Sequence, residues 1–446
     1  MWVCDCAGRA PYFKLGVYDP SGNTAALKVQ WRNFQSAFGA VSVAEKPFKT
    51  DDENDDAASP PHSSPAPPIS VSIDTAATPL ATLSAMMVGT GAEFLNHEIV
   101  GGLSSQLLFG ESFEEPPHNT SLYNESRGHP QLGCPNVAPT STVNLSAMWA
   151  PLLATAPAGS SIALLHGGRP EAAFNGAQAQ RLTLSGAGAV GIVNSGLNCK
   201  LGLWFNTQQP YDAAVYLRRA GTSSAAAPLD VRLRLHVGGT VTAEQSVSVA
   251  STEWERVNVA LTPNSSSTCG ATAEPYPGAM GPNAVRCDGA FSLSLVSAGT
   301  LDVDMVTMRA APNSTADPPL RDVRGAILPV RASVAHQAWG HGAATALRFG
   351  GSMVSRHGYR WKDFIGQYEH RQPFVGDWYS LPECSTGEYH RNECAIQSRG
   401  VGMFEFVDVA EALGVTPVVT FCLNETAEDM ADLVEFIAGD AGRCSL

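Results

Sequence analysis

The sequence predicts an α/β fold interrupted by an all-β sandwich. Three observations predict it. Several segments between 135 and 312 alternate apolar and polar residues with a period of two. Residues 318–446 alternate helical and strand patterns. A short apolar run, Leu83 to Val88, leads directly into polar residues capable of chemistry.

The chain has 446 residues, which predicts two or three structural units. Hydrophobic residues make up 44%, enough for real cores, while charged residues are only 16%, against a usual figure of about 25%. The net charge of −14 argues against a nucleic-acid footprint or a polybasic membrane patch. No stretch of 18 apolar residues occurs, so a membrane-spanning helix is not expected.

Residues 1–77 read as a poorly ordered, low-complexity lead, with an acidic run at Thr50 to Asp56 and a Ser/Pro-rich run at Ala57 to Pro68. Residues 78–134 hold the Leu83–Val88 strand and its following loop, Gly91 to Leu103. Polar residues directly after a strand are where an α/β barrel places its active site.

In 135–312, Val231, Leu233, Leu235 and Val237 alternate with Arg232, Arg234 and His236. Val257, Val259 and Leu261 repeat the pattern, as do Phe291, Leu293 and Leu295, and then Leu301, Val303 and Met305. Such strands, separated by polar turns, imply a sandwich. Within it, Trp204, Tyr211, Tyr216 and Trp254 are candidates for glycan contacts, with Trp204 and Trp254 assigned to the core.

In 318–446, Thr345 to Phe349 is a candidate strand. Met403 to Leu413 is a helix with Phe406, Val409, Ala410 and Leu413 on one face, ended by Gly414. Val415 to Phe421 is an apolar, β-branched run that predicts a buried strand. Thr426 caps the next helix, with Asp429 three residues on. Its apolar stripe is Met430, Leu433, Val434 and Ile437, and Gly439 stops it.

The ten cysteines have no metal-site spacing, so no metal is expected, and with no Gly-x-Gly-x-x-Gly after a strand and no phosphate loop, no cofactor is expected. Local disulfides are the reading for Cys269 with Cys287 and for Cys384 with Cys394, the alternative being free buried thiols. Asn-x-Ser/Thr sites stand at Asn119, Asn124, Asn144, Asn264, Asn313 and Asn424. Together with the even cysteine count they favour the secretory pathway or the extracellular space. Met1 to Phe13 lacks the pattern of a signal peptide.

Three segments carry a family resemblance. The first is Glu93-Phe-Leu-Asn96-His97 with Gly101-Gly102-Leu103, ending in Glu111-Ser-Phe-Glu-Glu115. The second is Leu347-Arg348-Phe349-Gly350-Gly351, followed by Tyr359-Arg-Trp361-Lys-Asp363-Phe-Ile-Gly366. The third is Val401-Gly-Met-Phe-Glu-Phe, leading to Glu411-Ala-Leu-Gly-Val-Thr-Pro417. In this order they resemble α-L-arabinofuranosidases of glycoside hydrolase family 51. The intervening sandwich is similar to the jelly-roll, carbohydrate-binding-like domain inserted in some members. The resemblance implies a (β/α)8 TIM barrel that begins in 78–134, is interrupted by the sandwich at 135–312, and resumes over 318–446.

It also implies roles. Glu93 would hydrogen-bond the arabinose, its other reading being a solvated loop acid. Asn96 and His97 would shape that loop. Arg348 would orient a catalytic carboxylate and lower its pKa, its other reading being a structural ion pair. Relatives carry a polar residue after the Gly-Gly, for which Ser352 is the stand-in here. Trp361 would line the sugar site or pack in the core. The substrate would be an arabinose-containing polysaccharide or oligosaccharide, cleaved with retention by double displacement.

The family's acid/base follows an Asn in an Asn-Glu pair after the fourth strand. Asn424-Glu425 is such a pair, but it ends what reads as the third strand and lies inside a glycosylation sequon. Both catalytic glutamates are therefore expected beyond Leu446, with no turnover from this polypeptide. The rival expectations are a non-catalytic carbohydrate-binding protein and an inactive gene fragment.

Overall fold

Strand β1 (Gly89–Ala92) is the first element, and a π-helical turn at Ile99–Leu103 follows it. The computed structural model describes residues 89–92, 99–115, 140–167, 171–196, 199, 201–207, 209–221, 227–271, 285–315, 317–339, 345–350, 360–371, 374–375, 396–397, 400–422 and 425–438. All of them lie in one unit of the chain. The Leu83–Val88 run, the low-complexity lead, Cys384, Cys394 and Gly439 lie outside the described residues.

Next come β2 (Ala150–Leu152), β3 (Ser161–His166), β4 (Gln178–Leu184), β5 (Val190–Asn194), β6 (Tyr211–Arg219), β7 (Leu229–Val237), β8 (Thr240–Val249) and β9 (Glu255–Leu261). A small hairpin, β10 (Cys269–Ala271) with β11 (Val285–Cys287), precedes β12 (Gly289–Leu295) and β13 (Gly299–Ala310). Two five-stranded sheets result, in the orders β2-β5-β12-β7-β8 and β3-β4-β13-β6-β9, and every pair in both is antiparallel. The alternation read from the sequence sets which side chains point inward. Val231, Leu233, Leu235, Phe291, Leu293, Leu295, Leu301 and Val303 are all wholly buried in one core.

Strand β13 departs from simple alternation. Asp302 and Asp304 are buried as completely as their apolar neighbours. A register shift falls between Asp304 and Thr307, and Met305 sits at φ +44°, a strained position for a side chain of its kind. The Asp304 carboxylate accepts from the amides of Met305, Phe174 and Asn175, so its charge is bonded where the ladder is broken.

Beyond the sandwich, β14 (Pro319–Arg321) and β15 (Ile327–Arg331) form a hairpin that runs into α1 (Ala332–Trp339). Then follow β16 (Ala346–Phe349), a short ladder of β17 (Phe374–Val375) with β18 (Ile396–Gln397), α2 (Met403–Leu413), β19 (Thr416–Val419) and α3 (Ala427–Ala438). Strand β16 pairs in parallel with both β1 and β19, giving a three-stranded sheet β1-β16-β19. The chain thus combines an α/β part with an all-β part, and the sandwich lies in sequence between the first two strands of the parallel sheet.

Helix α2 has the bounds expected from its pattern. Glu405 accepts from the Gly402 amide at its start, and Gly414 closes it at φ +69°, the left-handed position glycine takes without strain. The cap of α3 is reciprocal: the Asp429 amide donates to Thr426 Oγ1 and the Thr426 amide to Asp429.

Two expectations are corrected. The stripe of α3 is only partly buried: Leu433 is enclosed, but Val434 and Ile437 are about two-thirds exposed. Strand β19, expected to be buried, has Thr416, Pro417 and Val418 exposed. It is an edge strand among the described residues, bonded only to β16, and an edge is where a strand tolerates Pro417.

Candidate functional site

The C-terminal ends of the parallel strands are the first place to look. Leu347 and Phe349 of β16 are fully buried, and the Phe349 ring lies 5.0 Å from that of Phe406 in α2. The alternation of the strand therefore turns Arg348 to the opposite face of the sheet. There Gly91 of β1 and Val418 of β19 flank it in register, and it is exposed. Its Nη2 donates to the Gly350 carbonyl at 3.2 Å. It has no carboxylate partner among the described residues, so the ion-pair reading finds no partner there. An exposed guanidinium at a strand end is suited to binding vicinal hydroxyls or a carboxylate.

Glu93 follows β1 directly in sequence, and Ser352 follows Gly350 by two. Glu93, Asn96, His97 and Ser352 lie outside the described residues. Only Arg348 and Trp361 of the expected sugar contacts are described, and the fold does not bring them together.

Trp361 opens a 3-10 turn, Trp361–Phe364, and its side chain is fully buried. The ring packs against Phe404 of α2, with centroids 6.2 Å apart, and Phe436 of α3, 5.9 Å away. Its Nε1 donates to the Asp429 carbonyl at 3.0 Å. Trp361 is a packing residue that joins two helices, the second of its two readings. Both of its readings were visible in the sequence, and only burial separates them.

Glu425 is enclosed as well, with a side chain 3% exposed. Its Oε1 accepts the backbone amide of Trp361 at 3.1 Å, and Arg360 stands 3.9 Å away. Burial raises its pKa. The carboxylate fixes the start of the Trp361 turn.

The sequence did not single out the carboxylates at the junction of sandwich and α/β part. Glu115 is buried and accepts from Ser146 Oγ at 3.0 Å, with Glu111 near enough to repel it. Burial foremost pushes Glu115 up to about 8. Glu114 accepts from the amides of Ala177 and Gln178, and burial raises its pKa too. The signal was the run Glu111-Ser-Phe-Glu-Glu115, quoted above only as part of a motif.

Of the sandwich aromatics, Tyr211 and Tyr216 are buried, with the Tyr216 ring stacked on Phe174 at 3.5 Å. Trp254 is half-buried beneath Arg218, 4.5 Å from its centroid. Trp204, assigned to the core, is 41% exposed, because its neighbours Leu203 and Phe205 take the inward positions.

No family model matches this sequence, and no curated protein matches it. Among solved structures, an arabinose-bound MgGH51 α-L-arabinofuranosidase is similar at 18% identity, covering 82% of this chain and 51% of that one, with a TM-score of 0.55. The chain spans about half the length of that protein. At this identity the likeness is one of fold, and it extends over both the sandwich and the α/β part. The Stig cyclase Fisc from Fischerella sp. TAU is 15% identical over 47% of this chain and 98% of its own, with a TM-score of 0.30. A family 16 carbohydrate-binding module is 17% identical over 34% of this chain and 86% of its own, with a TM-score of 0.21. At those scores neither adds to the argument. The fold is like that of the arabinofuranosidase structure.

Proposed function

We propose that the protein recognises arabinofuranosyl residues of polysaccharides or oligosaccharides as an α-L-arabinofuranosidase-type glycoside hydrolase with a (β/α)8 barrel interrupted by the sandwich. The observation that carries this reading is a fold likeness covering 82% of the chain, across a parallel sheet split by a sandwich. Arg348 supports it, because it stands exposed at the strand end where such folds bind ligands. In this reading Glu93, Asn96 and Ser352 share the sugar with Arg348. Retention by double displacement requires two carboxylates about 5–5.5 Å apart, and no described carboxylate is given either role.

We infer an extracellular or secretory setting for the same protein. A disulfide joins Cys269 to Cys287, Cys199 is also disulfide-bonded, and the sequon residues Asn264 and Asn313 are exposed. Asn144 is half-buried, and Asn119, Asn124 and Asn424 lie outside the described residues. Among the described residues no helix is long and apolar enough to cross a membrane.

Saturation-transfer NMR with methyl α-L-arabinofuranoside tests the recognition. The full chain is expected to bind it, and Arg348→Ala to weaken binding about tenfold while its melting curve is unchanged. No binding, or equal binding by the variant, would overturn the reading.

A further inference from the structure

We infer a second saccharide site, away from the parallel sheet, in a cleft of about 380 Å³ where the end of the sandwich meets the 104–109 segment and the β14–β15 hairpin. Trp204 stands at this cleft with Val285, which is also exposed, and the buried polar residues Ser105, Gln209 and Asp317 line it with Arg331.

The aromatic wall is preformed. Phe205, next to Trp204, is fully buried and packs edge-on against Tyr211 with centroids 5.1 Å apart. The Phe205 amide donates to Ser267 Oγ at 3.0 Å, and Tyr211 Oη donates to the Trp204 carbonyl at 3.4 Å. The preceding turn is locked to β11. The Cys287 amide donates to the Leu201 carbonyl at 2.7 Å, and a Cβ at Gly202 would stand 1.8 Å from the Cys287 oxygen. The backbone is held at both sides, so the exposed indole is presented with little reorganisation on binding.

The polar side of the cleft indicates what it meets. Arg331 Nε donates to Asp317 at 2.8 Å, so the two charges neutralise each other. The Oε1 of Gln209, a residue 1% exposed, has no partner among the described residues. A flat aromatic face beside a charge-compensated donor and an unpaired acceptor matches a pyranose or furanose ring, with an apolar face and vicinal hydroxyls at its edge. An anionic sugar would have to compete with Asp317 for Arg331. The ligand class is therefore a neutral glycosyl residue of an oligosaccharide.

This site would tether the polysaccharide that the sheet site is proposed to read, but its own existence does not depend on that reading. The test is isothermal titration of the full chain with arabinotriose, xylotriose and galactotriose, and with trigalacturonate as the charged counterpart. At least one neutral trimer is expected to bind better than trigalacturonate. Trp204→Ala should weaken it tenfold or more, Trp204→Tyr should restore most of it, and Arg331→Gln should weaken it several-fold. Arg348→Ala should leave this binding in place. Circular dichroism and the melting curve of Trp204→Ala should match the parent, since the ring is exposed. Three results would overturn the site: no neutral trimer bound, unaltered binding by Trp204→Ala, or binding abolished by Arg348→Ala alone. The last would leave the sheet site standing and remove this one.

Discussion

Asn175 Nδ2 lies 2.7 Å from the carbonyl oxygen of Glu369, and so ties the sandwich to the turn that follows Trp361–Phe364. The same nitrogen reaches the Arg371 carbonyl at 2.9 Å. Asn175 is 1% exposed, and its backbone amide is held by Asp304. Around it Phe174 meets His370 edge-on, Arg256 pairs with Glu369 at 2.8 Å, and Tyr368 Oη reaches Glu111 at 3.4 Å. One short turn is therefore tied to the other part of the fold by a hydrogen bond, a ring contact and an ion pair.

Asn175→Ala is expected to destabilise the protein by about 1–3 kcal/mol, because two part-buried carbonyls lose their donor. Urea denaturation measures the loss. Hydrogen exchange should show it concentrated at 368–371, and a uniform change would argue against a local tie.

Glu115 makes stability depend on pH. Its folded pKa, about 8, lies above the ordinary value near 4.5, so the folded state binds the proton more tightly than the unfolded state. The stabilisation is fully present below about 4.5 and is lost as pH rises through about 8. Glu114 and Asp304 are also raised by burial, and act in the same direction. Glu115→Gln removes the charge and should flatten the decline in melting temperature between pH 5 and 8. A decline as steep as the parent's would show that Glu115 is not its source.

Asp302 sits between two arginines in register, Arg181 on β4 and Arg218 on β6. Arg181 donates to it at 2.6 and 2.9 Å and Arg218 at 3.0 Å, and the carboxylate is buried. Asp302→Ala leaves two positive charges facing each other and should cost about 3 kcal/mol in chemical denaturation. Arg181 is the more exposed partner, so Arg181→Ala should cost clearly less.

The Cys269–Cys287 bridge closes a stretch with a sequence separation of 18. Replacing both cysteines with serine should lower stability by about 3 kcal/mol, by releasing loop entropy in the unfolded chain. Comparing melts of the parent with and without reductant against the double variant checks it. A reductant effect that survives in the double variant would point to Cys199 instead.

What the sequence determined by itself was everything that depends on neighbours along the chain. Alternation at Val231–Val237 and Phe291–Leu295 gave the sandwich strands, because a pleated backbone turns successive side chains to opposite faces. Gly414 and the Thr426–Asp429 pair marked helix ends, because capping is satisfied within four residues. Cys269 and Cys287 read as a pair because they bracket a loop that needs a staple, and the structure joins them.

The tertiary structure decided what depends on which face meets another element. A buried Trp361 and an exposed Trp204 have the same side chain, and only the packing of Phe404 and Phe436 around one ring separates them. The same reason applies to Arg348, which points away from the helices because Leu347 and Phe349 take the covered face. It applies equally to Val418, apolar in sequence yet exposed on an edge strand. Local chemistry sets an element and its ends, whereas burial is a property of the space between elements, to which residues far apart in the chain contribute.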